Sequence, residues 1–238
     1  MRPVEAVVCF KWQTKGYRST FGPDTVNVLK NMVRRHYPRT PRIVCVTDNP
    51  KGLDSEIEAV PLWPDFADIP SPHGGRNPSC YRRLKVFSPE AREWFKAERF
   101  VVIDLDTVIM GDLTPLWERP EDFVIWGETN PRSYYNGSMF LMTAGARRVV
   151  LETFHPRRSP AAAKAAGKFG SDQGWISFCL GPGEATWRTT DGVYSYNVHL
   201  RNHANKLPPD ARVVMFHGAH DPWSQMAMAI PWVREHYR

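Results

Sequence analysis

Three apolar runs constrain this chain more than any other feature: residues 4–10 (VEAVVCF, broken only by Glu5), 42–47 (RIVCVT) and 100–103 (FVVI). Runs without polar alternation are buried on both faces, as the inner strands of a parallel sheet covered by helices are. Between the first two, Gly22-Pro23-Asp24 opens a stretch that places Val26, Leu29, Met32 and Val33 on one side, and His36-Tyr37-Pro38 closes it. This is helical spacing with a start and a stop, so the chain opens as strand, helix, strand. The fold class is therefore α/β, with a mixed, mostly parallel sheet flanked by helices. Apolar runs at 123–126, 138–142 and 213–216 are expected to complete that sheet.

No internal repeat and no linker divides the 238 residues, which reads as one domain over 1–238. Residues 61–79 carry Pro61, Pro64, Pro70, Pro72 and Pro78 with Gly74-Gly75, the make-up of a long surface loop that could serve as a lid. Residues 80–97 look helical, and 223–238 reads as a closing helix on the core. That last run is also basic and aromatic, which would suit a peripheral contact with a membrane surface bearing lipid-linked acceptors. No segment reaches the ~18 unbroken apolar residues of a membrane span, and the N-terminus lacks a signal peptide's basic-then-apolar layout, so a cytoplasmic location is expected. Cys9 and Cys45 lie inside strand-like runs and read as small buried thiols, and no CxxC pair suggests a metal cluster.

A formal charge of +6 favours an anionic partner without choosing among nucleotide, nucleic acid and membrane. From Thr153 to Ser171 the chain has Arg157, Arg158, Lys164 and Lys168 and no acidic residue. That stretch reads as a solvated, mobile connector or as a basic patch facing an acceptor. The nine Trp residues read first as core and second as stacking surfaces.

The third apolar run leads directly into Asp104-Leu105-Asp106. Ligands of open α/β sheets bind outside the carboxyl ends of the strands. Two carboxylates one residue apart can face a single cation if the chain bends there. Oxygen ligands of this kind suit Mg²⁺ or Mn²⁺. A surface turn would also use Asp, but four apolar residues feeding two acids make a ligand site the sharper reading. Residues 213–218 (VVMFHG) form another strand-like run, ending in His217. Asp104, Asp106 and His217 together make a two-carboxylate, one-imidazole set for Mn²⁺ with positions left for phosphate.

At this point the chain resembles the GT-A-fold glycosyltransferases, with their Rossmann-like sheet, and within them the retaining group of family GT8 that includes glycogenin and the bacterial lipopolysaccharide galactosyltransferases. The resemblance is carried by Tyr81-Arg82-Arg83-Leu84-Lys85, by VVIDLDTVIMGDLTPLW (101–117), by Tyr135-Asn136-Gly137-Ser138, by Ser171-Asp172-Gln173 and by FHGAHDPW (216–223). It implies a nucleotide-binding half over about residues 1–110 and an acceptor-side half over about 111–238. It further implies that Asp104, Asp106 and His217 bind Mn²⁺ (or Mg²⁺) and that the Asp104-Leu105-Asp106 turn and Arg83 meet the donor. Asn136 and Asp172 would bind sugar hydroxyls, with Gln173 near the anomeric carbon. Phe10, Lys11 and Tyr17 would lie by the base, and Gly218 would admit the diphosphate. Two positions depart from the pattern. Lys11-Trp12 stands where a small or acidic residue is usual. Asp221 stands where a Lys often holds the β-phosphate, a role that protonated His220 could fill in part.

The resemblance implies transfer of a sugar, with retention, from a nucleotide sugar (UDP-sugar favoured) to a hydroxyl acceptor: a saccharide, a lipid-linked glycan or nucleic acid. Asp172 or Gln173 would be the catalytic group nearest the anomeric centre, and an amide is a poor nucleophile. The alternatives are the same transfer onto a modified nucleic-acid base, or a non-catalytic nucleotide or nucleic-acid binding protein on this fold.

Overall fold

In the computed structural model, which describes residues 2–13, 21–70, 79–127, 132–217 and 220–238, the first apolar run forms strand β1 (Ala6–Lys11). Helix α1 (Pro23–His36) follows, then β2 (Arg42–Thr47) and β3 (Ile57–Pro61). Pro23 occupies the first turn of α1, where its missing N–H is not needed, and Asp24 lies at the positive end of the helix dipole. Arg34, Arg35 and His36 sit at the opposite end. Tyr37 leaves the helical region (φ −133°, ψ 113°), as the residue before a proline favours. Val26, Leu29, Met32 and Val33 are fully buried, so the helical spacing of the sequence is the buried face.

The remaining strands are β4 (Arg99–Ile103), β5 (Thr107–Ile109), β6 (Phe123–Gly127), β7 (Tyr135–Thr143), β8 (Ala185–Trp187), β9 (Val193–Ser195) and β10 (Val213–Met215). Among the described residues they make two sheets. The larger has the order β3-β2-β1-β4-β7-β6-β8, the smaller β5-β10-β9. The first four strands of the larger sheet are mutually parallel, whereas β7 runs antiparallel to both β4 and β6. The mixed, mostly parallel sheet is therefore as expected. The run at 213–216 is not part of it: β10 belongs to the second sheet, antiparallel to β5 and parallel to β9.

Successive side chains of the inner strands separate to two cores. Val7, Cys9, Ile43, Cys45, Val101 and Ile103 pack with α1 and the small sheet on one face. Ala6, Val8, Val44, Val46, Phe100 and Val102 pack on the other face against the 3-10 helix Cys80–Phe87. Both faces are thus covered, which explains the unbroken apolar runs. Cys9 and Cys45 are free thiols in register on neighbouring strands, and Trp117, Trp126 and Trp187 are fully buried in the core.

The further α-helices among the described residues are α2 (Ala91–Phe95), α3 (Thr114–Trp117), α4 (Val149–Glu152), α5 (Ser159–Ala165), α6 (Asp172–Leu180), α7 (Gln225–Met228) and α8 (Pro231–His236), the last two following β10. The basic stretch after Thr153 thus contains a helix, α5, and is not a bare connector. Pro61 ends β3 in place of opening a loop, and residues 71–78 of the expected lid lie outside the described residues. The C-terminal run closes on the core, with Trp232 and Val233 buried beside α1. Among the described residues no helix is long and apolar enough to cross a membrane.

Candidate active site

Asp104-Leu105-Asp106 is the place where the chain leaves one sheet and enters the other. The Asp104 N–H donates to the Ser138 carbonyl at 2.8 Å, tying the turn to β7. The Asp106 carbonyl accepts from Phe216 N–H at 2.8 Å, tying it to the end of β10. Leu105 is buried in the α1-side core and anchors the turn between the two acids.

Arg83 organises the site. The 3-10 helix that carries it buries Tyr81, Leu84, Val86 and Phe87, which fixes Arg83 by the ends of the central strands. Its Nη1 lies 3.0 Å from Asp104 Oδ1 and its Nε 3.8 Å from Asp172 Oδ2, while Nη2 donates to the Gly137 carbonyl. The guanidinium carbon is 5.8 Å from the centre of the Phe10 ring. Burial opposes the charge on Arg83, yet Asp104 and Asp172 outweigh it and hold the group above its ordinary pKa. Burial pushes the Asp104 carboxyl up, against the pull of Arg83 and a hydrogen bond from the Ser138 side chain.

Helix α6 brings Asp172 to Arg83. Its N-cap is Ser171, whose Oγ accepts from Gly174 N–H at 3.3 Å. The cap is therefore not Asp172, whose carboxylate, as the first helical residue, faces the arginine. Gly137 sits close by: a Cβ there would lie 3.8 Å from Arg83 Nη2, from Asp172 Oδ2 and from Gln173 Cβ. Asn136 is buried, and its Oδ1 accepts from Ser138 N–H at 2.9 Å. Phe10, Arg83, Asp104, Asp172 and Gln173 are thus brought together around Gly137 at the ends of the central strands, and Asn136 precedes that glycine on β7.

Asp106, 8% exposed, lies towards the C-terminal segment. Burial raises the pKa of the Tyr237 hydroxyl, and the carboxylates of Asp106, Asp221 and Asp24 raise it further. His217 follows β10, with Nε2 2.7 Å from Ser195 Oγ and its carbonyl accepting from the Asn197 amide. Its ring meets the edge of Trp126 at 5.5 Å. Burial, then the neighbouring His199, lowers its pKa, so the imidazole is neutral near neutral pH. His220 lies 5.9 Å from the Tyr196 ring. Lys11, 3% exposed, donates to the Asn49 carbonyl at 2.7 Å. Tyr17 and Gly218 lie outside the described residues.

Two carboxylates and a neutral imidazole are a donor set that suits Mn²⁺ or Mg²⁺ by chemistry. The arrangement is not closed, since Asp104 is engaged by Arg83 and His217 by Ser195. Among the described residues no three His, Cys, Asp or Glu side chains stand together closely enough to hold an ion. A cation binding here would take over Asp104 from Arg83.

Several residues that touch the site carry little signal in the sequence. Ser195 bonds His217, Tyr237 lies by Asp106, and the Cys80 thiol bonds to Asp172, its pKa raised by burial and then by that carboxylate. Ser138, by contrast, stood inside one of the segments that carry the resemblance.

No protein-family model and no curated protein sequence matches the chain. Solved structures do. The galactosyltransferase LgtC, solved with donor and acceptor sugar analogues, is 16% identical with a TM-score of 0.63, over 97% of this chain and 94% of that one. The glycosyltransferase GlyE of Streptococcus pneumoniae TIGR4 is 13% identical with a TM-score of 0.58, over 93% of this chain and 57% of GlyE. The bifunctional glycosyltransferase WbbM is 14% identical with a TM-score of 0.57, over 95% of this chain and 48% of WbbM. The chain has the fold of these glycosyltransferases, so the resemblance drawn from the sequence holds at the level of fold.

Proposed function

We propose that the chain is a metal-dependent glycosyltransferase that moves a sugar from a nucleotide-sugar donor, UDP-sugar favoured, to a hydroxyl acceptor with retention of configuration. The observation that carries this reading is the convergence of Arg83, Asp104 and Asp172 beside Gly137 at the ends of the central strands, on a fold shared with sugar transferases.

Sugar transfer passes through an oxocarbenium-like state, positive on the sugar and negative on the departing diphosphate. A fixed cation where that negative charge develops lowers the barrier, and Arg83 is such a group: planar, buried and permanently charged. Asp104, Asp106 and His217 would hold the divalent cation, which supplies further positive charge to the diphosphate. Asn136 and Asp172 hydrogen-bond the sugar hydroxyls and fix the ring, and Gln173 lies beside the anomeric carbon. The bond from that carbon to the phosphate oxygen breaks, the acceptor oxygen bonds on the same face, and the acceptor's proton passes to the leaving phosphate. This route asks no covalent bond of Gln173. Lys11, whose ammonium donates to the Asn49 carbonyl, would lie by the base, and protonated His220 would hold the diphosphate in part.

The test is hydrolysis of a panel of nucleotide sugars by purified protein with Mn²⁺, with Mg²⁺ and with EDTA, beside Asp106→Ala. Metal-dependent release of a nucleoside diphosphate from one donor, lost in the variant, is expected. No turnover and no metal-dependent nucleotide binding would sink the proposal.

A further inference from the structure

Two cation–aromatic contacts cross between the segments that lead into the site. Lys168 Nζ lies 3.3 Å from the centre of the Tyr134 ring, and the Arg132 guanidinium carbon lies 4.6 Å from that of Phe169. Tyr134 comes two residues before Asn136, and Phe169 three before Asp172. The crossing is clamped to α6. Tyr134 N–H donates to Ser177 Oγ at 3.2 Å, Tyr81 donates to the Gly170 carbonyl, and Gly174 lies so close to Phe169 that a Cβ would meet its carbonyl oxygen at 1.8 Å. The rim therefore has a fixed position relative to Asp172 and Gln173.

The segment that carries Lys168 and Phe169 belongs to a basic stretch of the sequence. Residues 153–171 contain Arg157, Arg158, Lys164 and Lys168 and no acid. Among the described residues none of these four is in an ion pair, although ion pairs are common elsewhere on the chain. The Tyr134 ring holds Lys168 in place, and an ammonium held this way keeps N–H groups for a ligand.

We infer that this rim is an acceptor subsite for an anionic saccharide, one bearing carboxylate or phosphate groups. The inference rests on the transferase reading and names the acceptor class that reading leaves open. A nucleic-acid strand is the poorer fit. Base recognition needs free ring faces in succession. Here one face of Tyr134 and one of Phe169 are taken by cations, and exposed Phe178 is stacked on Trp175 at 5.4 Å. Ring edges and fixed cations suit a sugar with charged substituents.

The experiment measures binding of the full chain by fluorescence anisotropy. The probes are a labelled uronate-containing oligosaccharide with its carboxyl-reduced neutral form, a phosphate-bearing oligosaccharide with its dephosphorylated form, and a single-stranded oligonucleotide. At least one acidic saccharide is expected to bind about tenfold more tightly than its neutral form, and which one does so separates carboxylate from phosphate recognition. The double variant Lys164→Glu/Lys168→Glu is expected to lose that preference, and Lys206→Glu, at an exposed lysine outside the rim, to keep it. Equal binding of acidic and neutral forms, tighter binding of the oligonucleotide, or no loss in the double variant would overturn the inference. Donor hydrolysis by the unmodified protein is read separately. Hydrolysis without acidic preference overturns this inference alone. Acidic preference with neither donor hydrolysis nor metal-dependent nucleotide binding overturns the transferase reading, and with it the acceptor role.

Discussion

Arg83 Nη1 lies 3.0 Å from Asp104 Oδ1, so the first acid of the turn is neutralised by the chain's own cation. Both side chains are mostly shielded, 15% and 26% exposed. Arg83→Ala would leave Asp104 and Asp172 facing each other without a counter-charge. A loss of about 2–3 kcal/mol in urea unfolding is expected, below the full cost of a deeply buried pair because water still reaches Asp104. Donor hydrolysis should fall by about 10²–10³-fold. Arg83→Lys should recover stability better than rate, since an ammonium lacks the fork that spans both acids and Gly137. An alanine variant as stable as the parent would show that the pair contributes nothing to folding.

Two glycines near the site should respond in opposite ways. Gly174→Ala places a methyl 1.8 Å from a backbone oxygen, so α6 or Phe169 must shift, and a loss of about 3 kcal/mol or more is expected. Gly137→Ala meets nothing nearer than 3.8 Å, so its melting temperature should hold while the methyl narrows the space among Arg83, Asp172 and Gln173. Thermal unfolding and donor kinetics of the pair check both halves. Equal stability of the two variants would contradict the packing described for α6.

Acidification should loosen the C-terminal helix. His36 and His236 lie 6.4 Å apart between α1 and α8. Burial, then Arg35 and His236, lowers the pKa of His36 against the pull of Asp112. Burial lowers that of His236 against Glu235, with Arg35 and Arg238 adding to the lowering. The unfolded chain therefore takes up these protons at a higher pH than the folded chain does. Stability is greatest above the ordinary histidine value of about 6.5 and falls as pH drops through it. The melting temperature should decline between about pH 7.5 and 5.5, and less steeply in His36→Gln/His236→Gln. An equal decline in both would assign the effect to other groups.

Ser195→Ala removes the partner 2.7 Å from His217 Nε2. Groups behind a metal-binding imidazole set its orientation, and their loss costs about 10–100-fold in metal affinity. Mn²⁺ binding followed by electron paramagnetic resonance should weaken by that order. Unchanged binding would mean that Ser195 has no part in positioning His217.

Much of the fold was legible because burial on both faces leaves an unmistakable pattern: β1, β2 and β4 are apolar at their inner positions, and α1 carries its own start and stop. The three-residue strands β5, β8 and β9 are too short for any periodicity, and the place of β10 in a second sheet depends on partners distant in sequence. At the site, Asp104 and Arg83 were legible as types of residue, but their contact was not, because it joins a 3-10 helix to a strand end. Ser171 and Asp172 are equally good caps on paper, and the backbone at Ser171, extended before the first helical turn, decides between them. Ser195 and Tyr237 reach the site through tertiary packing alone and left no local mark.

The antiparallel run of β7 against β4 has a consequence for how such a chain can change. Ile103 pairs with Met139, and Asp104 is bonded to Ser138, so the distance from the acid turn to Asn136 is set by the ladder and not by the path between them. Connecting residues between β5 and β6 can therefore lengthen or shorten without moving one side of the crevice relative to the other. A single inserted residue within β7 itself would turn Asn136 to the opposite face. Variation can accumulate in the connecting segments, while the geometry around the acid turn is inherited through strand register.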